Sequence, residues 1–226
     1  MTIVFEERPS DSPYVLTVTR GYMAAAGTTV RPAECCWHLI VTRYQGVQRI
    51  VVVGALESSG QISYPEGVEG LWIRFKPGAF MPHLPANRLL DKETELPEGA
   101  GNSFWLKSAV WQVPDFDNAD TFIDRLGREG VLDFDPLVPA ALGDVLPDVP
   151  DRTLRHRVQR ATGLSQSRIR QIERAQQAAT LLAQGVPILD TVDQLGYYDQ
   201  PHLTRSLKRF TGRTPGEVFV RSCQPE

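Results

Sequence analysis

The sequence predicts an α+β protein in two parts, a β-rich N-terminal domain over 1–132 and an all-α C-terminal domain over 133–226. Three observations predict it. Short β-branched runs punctuated by Gly and Pro fill the first half. Apolar residues at helical spacing, each run closed by a cap residue and a glycine, fill the second. Charge divides the same way: of 24 Lys+Arg and 27 Asp+Glu, 12 basic and 7 acidic residues fall in 151–226, a balance of +5 against −8 for 1–150. Such asymmetry points to a nucleic-acid-binding portion.

In the first half, WHLIVTRY (37–44) and RIVVVGA (49–55) read as strands of a hairpin turning at Gly46. LWIRFKPGAF (71–80) is a third strand, broken at Pro77-Gly78. This spacing suits a small barrel or sandwich. The first long amphipathic helix is ADTFIDRLGREG, with Asn118 as its cap. Its 119–128 stretch is either core packing or a surface for a second copy.

In the second half, Asp135-Pro136 starts a short helix to Leu142, closed by Gly143, and DVLPDVP (144–150) is a loop. Asp151 caps a helix from Arg152 to Thr162 that Gly163 stops. Leu154, Val158 and Ala161 form its inner face; Arg152, Arg155, His156 and Gln159 form its outer face. Ser165 caps a long helix ended by Gly185, with a seam of Ile169, Ile172, Gln176, Ala179 and Ala183, broadened by Ala175, Ala178 and Leu182. In GYYDQPHLTRSLKRFTGRTP (196–215), Gly196 is a left-handed stop, Asp199 an N-cap, and Pro201 falls in the first turn. Leu203, Leu207 and Phe210 make the back of this last helix; His202, Arg205, Ser206 and Arg209 make its front. Gly212 ends it, and Thr214-Pro215 caps and starts another.

GYYDQPHLTRSLKRFTGRTP resembles the signature of AraC/XylS-type transcription regulators, in which a Gly-aromatic turn leads into a recognition helix and then "G-x-TP". RTLRHRVQRATGLSQSRIRQIERAQQAATLLAQG is similar to the first half of the same domain. The resemblance implies two helix-turn-helix motifs joined by a long linker helix. GLWIRFKPGAFMPHLPANRLLDKETEL is similar to a stretch in the N-terminal domains of some such regulators, which implies a partly cupin-like sensing domain. The chain departs from the family at DVLPDVP, where a full scaffold helix normally precedes the first recognition helix.

A helix with an apolar back and a donor-rich front suits the major groove, which admits one helix and displays acceptors on guanine and adenine. By carry-over, Arg152, Arg155, His156, Gln200, His202 and Arg205 are candidate base contacts. Arg157, Lys208, Arg209 and Thr211 are candidate phosphate contacts, which position without reading sequence. The partner is double-stranded DNA. The resemblance also leaves room for a small-molecule effector of unknown identity, for RNA polymerase and for a homodimer.

Other chemistry has little support. The chain carries no G-x-S-x-G, P-loop, G-x-G-x-x-G or H-E-x-x-H pattern, and DFDNAD (115–120) reads as a turn and a cap. Cys35, Cys36 and His38 are the one compact Cys/His group. Adjacent cysteines in a strand point to opposite faces, so they read as buried small hydrophobes, not as metal ligands. His83, between prolines, reads as a surface loop residue, and Arg74 as one partner of a structural salt bridge. Trp37, Trp72, Trp105 and Trp111 read as core, with an aromatic pocket as the alternative. No cofactor is expected and no catalytic residue is assigned. Three cysteines without a C-x-x-C pair, a charged N-terminus and the lack of a long apolar run predict a cytoplasmic protein away from the membrane. The rival readings are a cupin-like enzyme and a protein-interaction module, each with a basic helical appendage.

Overall fold

The computed structural model describes residues 3–143 and 147–222, with the side chains of 219–222 left aside. Residues 144–146 of the expected loop lie outside the described residues. The N-terminal region is built on a six-stranded antiparallel sheet in the order β1-β2-β7-β4-β5-β9. These strands are β1 (Ile3–Pro9), β2 (Val15–Met23), β4 (His38–Tyr44), β5 (Val47–Val53), β7 (Glu69–Phe75) and β9 (Glu93–Glu95). Three two-stranded ribbons complete it: β3 (Gly27–Arg31) with β6 (Gly60–Tyr64), β10 (Ser103–Leu106) with β11 (Ala109–Gln112), and β8 (Ala79–Phe80) with β12 (Asp133–Phe134).

The β4–β5 hairpin turns on Gln45 and Gly46, at φ 50° and 77°. Two positive φ values in succession match the twist of the flanking strands, and glycine takes the second without penalty. The strand break expected at Pro77-Gly78 is present, with Gly78 at φ 103°. Register places Val18, Ile73, Leu39 and Val52 side by side on the inner face, all fully buried. Helix α1 (Ala119–Arg128) buries Ala119, Ile123 and Leu126 in that same core, and Phe122 meets Phe104 and Trp111, each at 6.1 Å. The apolar stripe of α1 is thus covered by its own chain. Asn118 stands at the expected cap position, but its side chain accepts from Asp115 N–H and does not cap the helix.

The remaining helices are α2 (Leu137–Leu142), α3 (Asp151–Thr162), α4 (Gln166–Ala183), α5 (Ile188–Gln194), α6 (Gln200–Thr211) and α7 (Pro215–Ser222). Pro150, not Asp151, precedes α3, and Asp151 lies in its first turn. Ser165 caps α4 as expected, accepting from Arg168 N–H. The seam of α4 differs in its second half. Ile169, Ile172, Ala175, Ala178 and Leu182 are buried, whereas Gln176 and Ala179 are half-buried and Ala183 is exposed. The reason is a second neighbour: Gln176 donates to the Ala33 carbonyl of the N-terminal region at 2.9 Å.

The main core does not stop at residue 132. It runs from the sheet through Val138, Leu154, Val158, Ala161, Ile169, Ile172, Ala175 and Phe210. A smaller core of Ala178, Leu182, Val192, Tyr197, Leu203, Leu207 and Val218 holds the end of α4 with α5, α6 and α7.

Candidate nucleic-acid interface

Helix α6 is set by its ends. Gly196 adopts φ 65°, Asp199 is extended, and the Asp199 carboxylate accepts from His202 N–H at 2.7 Å. Pro201 occupies the first turn, where no N–H is needed, and Gly212 closes the helix at φ 74°. Leu203, Leu207 and Phe210 bury the back against α4. Gln200, Arg205, Lys208 and Arg209 stand exposed on the other side. Arg205 lies within bonding distance of no carboxylate among the described residues, which leaves its guanidinium available for a ligand.

Other expected residues are partly engaged. His202 is half-buried; its ring meets Tyr197 edge-on at 5.2 Å, and its Nδ1 accepts from Tyr198 N–H at 3.4 Å. Ser206 pairs with the Tyr197 hydroxyl at 3.2 Å. Lys208 lies 3.7 Å from Glu217, both exposed. Thr211, placed by sequence among the phosphate contacts, is buried, and its hydroxyl donates to the Leu207 carbonyl at 2.8 Å. An amphipathic count puts Thr211 beside Lys208, but the eight-residue step from Leu203 brings it back to the inner face. After α6, Thr214 and Glu217 bond reciprocally to one another's N–H and start α7.

Helix α3 presents Arg152, Arg155, His156, Gln159 and Arg160 to the outside. Arg157 pairs instead with the buried Asp135 at 3.1 Å, and the Arg160 guanidinium lies 4.9 Å over the Phe80 ring. Between α3 and the start of α4 runs a groove of about 540 Å³ lined by Arg155, Gln159, Ser165, Ser167, Arg170 and Arg174. Arg170 and Arg174 extend the basic face beyond the expected site residues, and Arg174 also covers the Tyr197 ring at 4.8 Å. Tyr198 was outside the expected site as well: it is 91% exposed at the α5–α6 turn. Sequence alone could not separate it from its neighbour Tyr197, which is in the core.

Support for α3 comes from two sides. Short α2 packs on it from one side. From the other side comes the N-terminal region, where a 3₁₀ turn (Ala86–Arg88) lies against α3. A Cβ added to Gly163 would sit 2.8 Å from the Ala86 carbonyl oxygen. The N-terminal region thus braces α3 together with α2.

Both candidate reading helices are held at their C-terminal ends by the segment Ala33–Trp37. Trp37 Nε1 donates to Ala161 O of α3 at 3.0 Å, and Ala33 N–H donates to Phe210 O of α6 at 2.7 Å. Ser59 N–H adds a bond to Arg209 O at 2.8 Å. The last carbonyls of a helix have no partner inside it, so these donors act as caps supplied from another part of the chain. Beside them, Glu34 receives His38 at 2.7 Å and Arg74 at 2.5 Å, the salt bridge expected for Arg74. Burial alone would raise the Glu34 carboxyl, but the hydrogen bond from His38 and the charges of His38, Arg74 and Arg31 outweigh it, so Glu34 titrates below the usual carboxylate range.

The four tryptophans do not share a pocket. Trp37 and Trp111 are core, Trp72 packs edge-on against Phe5 at 5.7 Å, and Trp105 is exposed. His83 is less exposed than expected. Both its ring nitrogens are shielded from solvent without a partner, and this burial, helped by Lys107, lowers its pKa. Among the described residues no group of three His, Cys, Asp or Glu side chains could hold a metal ion, and no helix is long and apolar enough to cross a membrane.

Residues 148–221, from just before α3 into α7, match a family model described as a helix-turn-helix domain. No curated protein and no solved structure matches the chain significantly. The matched segment is a DNA-binding helix-turn-helix domain of the AraC type. The chain that carries it is a DNA-binding transcription regulator.

Proposed function

We propose that the chain is a sequence-specific regulator in which the N-terminal domain, partly cupin-like, modulates how two reading helices engage DNA. The observation that carries this is the double grip of Ala33–Trp37 on Ala161 and Phe210. A change in the sheet domain that shifts this segment shifts both helices, because interfaces of packed elements move as units. Helix α4 then acts as the linker that keeps the two motifs in one frame.

In this reading Arg205 and Gln200 of α6, with His202 at its N-terminal end, contact base edges in one major groove. Arg152, Arg155 and His156 of α3 contact those in the next. Lys208, Arg209 and Arg157 serve phosphates, Arg157 after leaving Asp135. A small-molecule effector would sit in the groove of about 830 Å³ where Val30, Glu34 and Arg74 face Gln176, Ala179 and Thr180. RNA polymerase and a second copy of the chain are partners that the AraC/XylS class implies.

Selection of bound sequences from a random duplex pool, with the full chain at near-physiological salt, tests the reading. Two conserved elements about 10 bp apart are expected. A single compact element would remove α3 from the base-reading role. No enrichment at any salt concentration would overturn sequence-specific binding.

A further inference from the structure

Helix α3 stands as a ridge between two grooves. One separates it from the start of α4. The other, of about 500 Å³, belongs half to the N-terminal region: Phe80, Pro82, Leu84 and Asn87 face His156 and Arg160 across it. Gln159 lines both, so the exposed edge of α3 is the wall between them. At about 3.6 residues per turn, Arg152 and Gln159 share the crest of this ridge, with Arg155 towards α4 and His156 towards the Phe80 loop.

Neither groove is lined by a carboxylate. The chain as a whole carries 27 Asp+Glu against 24 Lys+Arg, and other grooves follow that balance: Glu6, Glu69 and Asp115 line one, Glu34 another, Glu95 and Glu98 a third. Glu173, the single acid of α4, lies outside the lining. Each acid-free groove also holds an arginine stacked on an aromatic ring. Arg160 lies 4.9 Å over Phe80, and Arg174 lies 4.8 Å over Tyr197. Arg174 Nε is shielded from solvent without an acceptor. Stacking uses the face of a guanidinium and leaves its N–H edge for an oxyanion.

We propose that the two grooves seat the two phosphate backbones bordering the major groove that α3 enters, so that the Phe80–Asn87 loop makes the N-terminal region a direct wall of the DNA site. The proposal rests on the insertion of α3 proposed above. An α-helix with its side chains is about 10–12 Å across, and the major groove of B-DNA is about 12 Å wide. A helix that fills the groove therefore brings one flank against each strand. On the α4 side, Ser167, Arg170 and Arg174 take phosphate oxygens of one strand. On the other side Arg160, held by Phe80, takes those of the second strand, with the Asn87 amide beside it. Arg155 and His156, at the rims of the ridge, stay with the bases. The sheet region then acts on DNA by contact as well as through its hold on the helix ends.

The test is phosphate ethylation interference with the full chain on the selected duplex, joined to the salt dependence of affinity. With the unaltered chain, ethylated phosphates on both strands beside the α3 element should block binding. Arg170→Gln, alone and with Arg174→Gln, should erase the interference on one strand, and Arg160→Gln that on the other. Each lost phosphate contact should lower the salt slope by about 0.9. Asn87→Asp places a carboxylate in the N-terminal wall. It should weaken binding several-fold more than Asn87→Ala at low salt, and the difference should shrink as salt screens it. Asn87, Arg160 and Arg170 are exposed, so thermal midpoints should hold in these variants. Interference confined to the strand that Arg170 serves, with Asn87→Asp equal to Asn87→Ala, would overturn the N-terminal wall. Two selected elements with unchanged slopes in every variant would overturn both grooves and leave base reading by α3 intact. A single selected element without interference beside α3 would overturn the insertion of α3, and this proposal with it.

Discussion

The indole N–H of Trp37 donates to the main-chain carbonyl of Ala161 at 3.0 Å, in a buried bond between residues 124 positions apart. It ties the start of a sheet strand to the end of α3, inside one continuous core. Trp37→Phe keeps most of the ring and removes the donor. The stranded carbonyl should cost about 1–3 kcal/mol of stability, measured by urea unfolding. DNA binding should lose the element read by α3 before that read by α6. An unchanged midpoint would mean that the bond is replaced by water without loss.

Two left-handed glycines separate backbone strain from packing. Gly163 (φ 80°) abuts the Ala86 backbone, whereas Gly185 (φ 87°) has open space around its missing Cβ. Gly185→Ala should cost only the conformational term, about 1–2 kcal/mol. Gly163→Ala should cost more, because the clash is with a carbonyl that cannot rotate away. Comparable losses in thermal unfolding would argue that the 3₁₀ turn yields easily and does not brace α3.

Removing the N-terminal domain tests that brace more severely. A fragment over 133–226 loses Trp37, Ala33 and Ser59, the donors to Ala161, Phe210 and Arg209, and the Ala86 turn that packs on Gly163. It keeps the smaller core that holds α6. The fragment should retain binding to the α6 element and lose the α3 element in footprinting. Protection of both elements by the fragment would contradict the dependence of α3 on the sheet domain.

On DNA, Arg205→Ala should cost about 1–3 kcal/mol and relax preference at one base pair. Lys208→Ala should weaken all sequences alike and lower the salt slope by about 1. Thr211→Val serves as the contrast. Its hydroxyl is turned inward to Leu207, so the salt slope should not move, while stability falls. A Thr211→Val variant with a reduced salt slope would return this hydroxyl to the phosphate contacts.

Acid should destabilise the fold through two groups of the same sign. Glu34 titrates below the usual value of 4.5, so its contribution is complete above that pH and is lost as pH falls through the lower folded value. His83 is depressed from 6.5, so the folded state favours the neutral ring; this stability is present above 6.5 and declines as pH falls below it. In His83→Phe the decline just below pH 6.5 should flatten, while the loss that sets in below 4.5 persists. A wild-type midpoint that stays level from pH 7 to 5 would remove His83 from this role.

The local rules of the chain were legible in the sequence. Gly196, Asp199, Pro201 and Gly212 bound α6 by backbone geometry and one cap, and these act within a single turn. Gly163, Ser165 and the break at Pro77-Gly78 are local in the same sense. Charge division and the apolar spacing of α3 and α6 pointed at DNA only together with the resemblance of these segments to AraC/XylS-type regulators. What lay beyond reach depends on neighbours distant in the chain. Thr211 turns inward, Gln176 leaves its seam for Ala33, and Arg157 is held by Asp135 because of what packs beside them. The 3₁₀ turn around Ala86 packs against α3 from some sixty residues upstream. Only the folded chain decided that Cys35 and Cys36 share a bend, and that this bend lies between the residues that bond the ends of α3 and α6. Side-chain patterns encode helices one turn at a time, whereas which residues meet across a core is settled by the packing of the whole.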